Sequence, residues 1–149
     1  MNEYEKPIIA HVHPLLLKEL KIIKSKIESE VNYKIYGGMP IISKLVAIYI
    51  KDILINKKIK YDISNEENII TVIQIHPLLI ECFKIMKTQI KESNINVKTN
   101  NTVVSKYIAT MLQQKRRKNK NKINFLFENY TLRDNCKKVI GEKKVKLSL

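Results

Sequence analysis

Apolar residues fall on helical spacing in four stretches of this chain and on strand-like runs in two. Leu16, Leu17, Leu20, Ile23 and Ile27 make one apolar face over a helix. Leu79, Ile80, Phe83, Met86 and Ile90 repeat the same spacings later on. A second helix follows each of these after a polar connector, Glu28 to Met39 in the first half and Glu92 to Asn101 in the second. One runs from about Pro40 to Leu54, with a broad apolar face of Ile42, Leu45, Val46, Tyr49, Ile50 and Ile53. The other runs from about Thr102 to Gln114, with Asn101 or Thr102 as its N-cap. Ahead of each first helix stands a β-branched run of about one strand's length, Pro7 to Val12 and Ile69 to Ile75. Each ends at a proline, Pro14 or Pro77, that suits the first turn of a helix.

The two halves are copies of one another. His76-Pro77-Leu78-Leu79 stands 63 positions (76 − 13) after His13-Pro14-Leu15-Leu16, and Ser105-Lys106 stands 62 positions (105 − 43) after Ser43-Lys44. Each copy is too short to bury much core alone, so the copies are expected to fold against each other about a pseudo-two-fold axis. Copy one covers residues 7–54 and copy two 69–114, and together they predict a tandem domain over 1–114. The linker between them, 55–68, is polar, with a stray strand suggested at Ile59 to Ile63. Its fourteen residues span at most about 50 Å, enough to bring one strand beside the other. From 115 to 149 the chain reads as a basic tail. Its Lys115 to Lys122 block is expected to be a fraying helical extension or a disordered arm, and Phe125-Leu126-Phe127 an apolar cluster that docks a partner or caps the core.

Strand, helix, connector and helix at this spacing, with Ser-Lys at the start of each second helix, resembles the ribbon-helix-helix family of DNA-binding proteins. The resemblance covers roughly residues 7–54 and 69–114. It implies a mainly α fold with a short two-stranded antiparallel ribbon, here a tandem pseudodimer in a single chain. In that family the ribbon enters the major groove and the N-terminus of each second helix grips a phosphate.

Alternation along a strand assigns the ribbon's faces. If Val12 and Ile75 point to the core, then Ile8, Ala10, Thr71 and Ile73 do too. Ile9 and His11 then face outward in copy one, with Ile70, Val72 and Gln74 in copy two. The resemblance implies base contacts for Ile9, His11, Val72 and Gln74. Gln74 suits adenine, His11 a guanine or a phosphate, and the aliphatic pair thymine methyls alone. The family more often has polar or basic side chains on that face, a departure in this chain. The resemblance also implies phosphate contacts for Ser43, Lys44, Ser105 and Lys106, the serines alternatively packing small against a neighbouring helix. Lys115, Arg116, Arg117 and Lys118 would extend those contacts as a flexible arm.

Charge sharpens the choice of partner. Lys and Arg number 28 against 14 Asp and Glu, a net charge of +14 over 149 residues. A field of that sign favours a polyanion, although the bias toward Ile, Lys and Asn also fits an AT-rich gene. The chain has no apolar run of membrane-spanning length, and Met1 to Lys6 lacks the basic start of a signal peptide. Two cysteines, Cys82 and Cys136, suggest no disulfide framework, in keeping with a cytoplasmic protein on nucleoid, viral or plasmid DNA. Cys82 reads as a small filler on the partly exposed side of its helix. His11 and His13 share a strand face, but two imidazoles are not a metal site. No nucleophile motif or phosphate-binding Gly loop occurs, so no enzymatic activity, metal or cofactor is expected.

Three functions fit. The first is a sequence-specific or semi-specific duplex DNA-binding protein, a repressor or a plasmid transfer or partition factor, with pseudodimers associating on DNA. The second is an antitoxin-like interaction protein whose tail from Ile123 onward wraps a protein partner. The third is an architectural DNA coat without sequence preference.

Overall fold

Each β-branched run ends at a His-Pro pair, and there the strand gives way to a helix. In the computed structural model β1 (Ile8–Val12) leads into α1 (Pro14–Val31), and β2 (Thr71–Ile75) into α3 (Pro77–Glu92); α2 (Gly38–Asn56) and α4 (Asn101–Lys118) complete the set. The structure describes residues 6–31, 38–57, 59, 69–93 and 99–126. The strand suggested at 59–63 falls, apart from Ile59, outside the described residues, as do most of the linker, Cys136 and everything after Leu126.

Histidine caps both first helices. Nδ1 of His13 accepts from the Leu15 N–H at 3.1 Å, and Nδ1 of His76 from the Leu78 N–H at 3.0 Å. An imidazole thus does what a Ser or Asp oxygen usually does for the orphan donors of a first turn. Proline follows at the first helical position, where its missing N–H costs nothing.

β1 and β2 pair antiparallel, with Ala10 opposite Ile73 at the centre, Ile8 opposite Ile75 and Val12 opposite Thr71. A two-stranded ribbon is not stable alone in water, and this one lies on a helical layer that buries one of its faces. Ala10, Val12, Ile73 and Ile75 point into that layer. The helices cross between the halves: α1 packs on α4 and α2 on α3, while α4 also lies against β1 and α2 against β2. One core results, to which α1 gives Leu16, Leu20 and Ile23, α3 gives Phe83 and Met86, and α2 gives Ile42, Leu45 and Ile50. Burying each such side chain contributes about 1.5–3 kcal/mol. The expected mainly α architecture with a short antiparallel ribbon is what the chain adopts.

The helix ends differ from expectation. α4 begins after Asn100, whose extended backbone puts its side-chain oxygen 2.9 Å from the Val103 N–H, so Asn100 is the cap rather than Asn101 or Thr102. At its other end α4 runs on to Lys118, so a division after Gln114 cuts through a helix. Lys120 and Asn121 then take left-handed backbone, φ 56° and 63°, and the Asn121 N–H donates to the Arg116 carbonyl at 2.8 Å. That reversal sends the chain back along the bundle. Ile123, Phe125 and Leu126 are buried, the last two in a single 3₁₀ turn, Asn124–Leu126, and the Phe125 ring meets Tyr49 edge-on at 5.1 Å. Of the two roles open to this apolar cluster, Phe125 and Leu126 take the capping one. No helix among the described residues is long and apolar enough to cross a membrane.

Candidate functional site

The uncovered face of the ribbon carries the outward side chains that alternation assigned. Ile9 is 64% exposed and Val72 55%, and His11 and Gln74 stand exposed beside them. The register sets Ile9 opposite Gln74 and His11 opposite Val72. Aliphatic groups therefore occupy one diagonal of the face and polar groups the other, all within reach of a single ligand surface. Ile8 departs from expectation. It was assigned inward with Ala10 and Val12 but is 41% exposed, and Thr71, the corresponding residue of β2, is only half-buried. Both lead their strands, and burial of the inward positions rises toward each junction with a helix.

At each end of the ribbon a serine joins the halves. The hydroxyl of Ser43, in α2, accepts from the His76 N–H at 2.8 Å and donates to the Pro40 carbonyl at 2.9 Å. Ser105, in α4, repeats the arrangement, accepting from the His13 N–H at 2.8 Å and donating to the Thr102 carbonyl at 2.9 Å. Both side chains are fully buried. This corrects the phosphate-contacting role expected for Ser43 and Ser105, since a hydroxyl inside the core and bonded on both sides has nothing left for a phosphate. Their role is positional. The second turn of α2 is pinned to the end of β2 and that of α4 to the end of β1, so the N-terminal ends of the two helices bracket the ribbon. Lys44 and Lys106, half-buried, follow the serines in those second turns. Helix N-termini present N–H groups and partial positive charge to anions.

The basic block divides. Arg117 and Lys118 are exposed and Lys115 half-buried, but Arg116 points inward. Its Nη2 lies 2.6 Å from Glu19 Oε1 and its Nε 3.4 Å from Oε2, while Nη1 donates to Asn121 Oδ1. Glu19 is 4% exposed and Arg116 8%, so this is a buried ion pair and Arg116 is not a phosphate contact. Sequence reasoning missed Glu19, although its spacing from Leu16 and Ile23 puts it on the inner face of α1.

The lysines of the two first helices are used differently. Lys18 and Lys21 of α1 are exposed and line a shallow groove with Ile22, Ser25 and Lys26. On α3, Glu81 is bridged by Lys51 at 2.8 Å. Lys87 donates to Asn101 Oδ1, and burial together with Lys84 lowers its pKa.

Cys82 corrects another expectation. It is fully buried rather than partly exposed, with Sγ 3.4 Å from the Ala47 carbonyl. Burial, with Glu81 adding to it, pushes the thiol up to about 12, so it stays protonated and unreactive across the physiological range. In a Cys136→Ser background, 5,5′-dithiobis(2-nitrobenzoate) at pH 8 is expected to label no thiol in the folded chain and one in urea. Rapid labelling of the folded chain would contradict the burial. Among the described residues no group of three or more His, Cys, Asp or Glu is placed to hold a metal.

Comparison with protein-family models, curated proteins and solved structures gives no match to this chain.

Proposed function

We propose that the chain is a duplex DNA-binding protein of ribbon-helix-helix type, a covalent pseudodimer in which each copy supplies one strand and two helices. The observation that carries this reading is the exposed ribbon face bracketed by two helix N-termini, each pinned by a buried serine to the strand junction of the opposite copy. A two-stranded ribbon fits the major groove, and N–H groups at its ends suit the flanking phosphates. The net charge of +14 supports a polyanionic partner. Base contacts fall to Ile9, His11, Val72 and Gln74. Phosphate contacts fall to Lys44 and Lys106, with the exposed Arg117 and Lys118 and the half-buried Lys115 continuing the basic surface. Such a protein acts as a transcriptional repressor or as an accessory factor in plasmid transfer or partition. Pseudodimers side by side on DNA would extend the site.

Gel shifts with random duplex and with fragments flanking the gene test this reading. We expect binding at about 50 mM salt that weakens roughly 10³-fold by 200 mM, as some six phosphate contacts would require. Absence of any shifted duplex at the lower salt would sink the reading. The aliphatic diagonal, which offers no hydrogen bonds to base edges, favours a second reading as an architectural coat, and equal affinity for unrelated sequences would identify it. The packing of Ile123, Phe125 and Leu126 on the chain's own core removes these three from any partner-wrapping tail.

A further inference from the structure

The ribbon face is unusual in what it lacks. Neither β1, Ile-Ile-Ala-His-Val, nor β2, Thr-Val-Ile-Gln-Ile, contains an Arg, Lys or Asn, so no bidentate guanine reader stands on it. Ile9 and Val72 take up one diagonal of the face. Ile70, two residues ahead of Val72 on the same alternation, is 54% exposed and continues the aliphatic line. A chain with so high a charge gains nothing from bare aliphatic groups there unless a ligand covers them.

We infer that this face reads A·T-rich duplex through the C5-methyl groups of thymine, with the Gln74 amide on the N6 and N7 of an adenine. The inference rests on the DNA-binding reading above. The thymine methyl is the apolar group that the major-groove edges present, so it is the natural partner of Ile9 and Val72. Against G·C pairs the same side chains would strip water from O6 and N4 and return no hydrogen bond. Discrimination thus comes from a gain on one sequence and a penalty on the other. The positive charge and the two bracketing helix N-termini argue for duplex DNA rather than an apolar protein as the occupant. Val72 stands where Ile9 does 63 positions earlier (72 − 9), and the two lie on either side of the central Ala10–Ile73 pair. Two methyl contacts related by that local axis fit an alternating A·T step. His11 and Gln74, on the other diagonal, make the two half-sites unequal.

The test compares the full chain on alternating poly(dA-dT) and poly(dA-dU), duplexes that differ in the thymine methyl. Losing two methyl contacts, at about fourfold each, is expected to weaken binding at least tenfold on the dU polymer. A variant carrying Ile9→Ser and Val72→Ser changes the exposed face and leaves the buried one intact. It should bind both polymers equally and keep the parent's salt dependence. Equal affinity of the parent for the two polymers would overturn the inference while leaving DNA binding in place, and so would discrimination that survives in the double variant. Failure to bind either polymer at low salt would overturn the DNA-binding reading and this inference with it. Self-association of the free protein that disappears in the double variant would assign the face to a second copy instead.

Discussion

Alanine at both Ser43 and Ser105 is expected to lower the unfolding free energy by about 2–5 kcal/mol, read from urea denaturation. Each substitution leaves a buried backbone N–H, that of His76 or His13, without its acceptor at 2.8 Å. An orphaned buried donor costs about 1–3 kcal/mol, and alanine's better helix propensity returns only a few tenths. The sites lie at opposite ends of a five-residue ribbon, about 13 Å apart at the usual strand rise, so the two losses should add. Amide exchange at His13 and His76 should accelerate more than at the centre of the ribbon. Ser25→Ala, on the exposed side of α1, is the control and should change stability by less than about 0.5 kcal/mol. A double variant as stable as the parent would mean that the serines do not clamp the halves together.

That clamp also shows where sequence reading succeeds and where it stops. Helical and strand periodicity reports which face of a segment is apolar, and among the described residues it located both strands, the four α-helices and the outward set Ile9, His11, Val72 and Gln74. The repetition of Ser-Lys marked a position that matters in both copies without revealing which way the serine faces. Small polar side chains sit as readily inside, bonded to a helical carbonyl, as outside on a ligand. Only the neighbouring junction, 33 residues away for Ser43 and 92 for Ser105, decides between them. The same holds for the block from Lys115 to Lys118. As a run of charge it reads as solvated, yet in a helical turn of four residues one points to the core, and here that residue is Arg116. Its partner is 97 residues away, beyond the reach of any local pattern. Cys82 was placed on the wrong side of its helix, and Glu19 was not singled out at all. Both lie between apolar positions at helical spacing, Glu19 between Leu16 and Ile23 and Cys82 between Leu79 and Met86, and that spacing places them on the inner face.

These two residues correspond, Cys82 standing 63 positions after Glu19 (82 − 19), and Arg116 corresponds to Leu54, 62 positions earlier (116 − 54). One interface between the halves therefore holds an ion pair where the other holds a thiol on the Ala47 carbonyl and a buried leucine. If a copy met its own kind, Glu19 would face leucine, or Arg116 would face cysteine; only the cross-pairing matches charge with charge. The ion pair is therefore expected to select which halves associate, a specifying use of a buried polar group.

Arg116→Leu is accordingly expected to destabilise the chain by about 3–5 kcal/mol, because it leaves the Glu19 carboxylate buried without its counter-charge. The loss also removes the Nη1 bond to Asn121, which helps hold the reversal that returns Phe125 and Leu126 to the core. Adding Glu19→Cys gives this interface the residue pair that the other interface already accommodates. The double variant should recover most of the loss, since removing both partners of a buried ion pair is often neutral or stabilising. A double-mutant cycle by urea denaturation at pH 7 should then give a coupling of roughly 2–3 kcal/mol, at the upper end for residues in direct contact. Strictly additive effects would mean that the two side chains act independently and that the ion pair does not specify the interface. Recovery of stability together with new dimers in the double variant would be the expected mark of lost pairing specificity, because with both charges gone nothing at this position distinguishes one copy from the other.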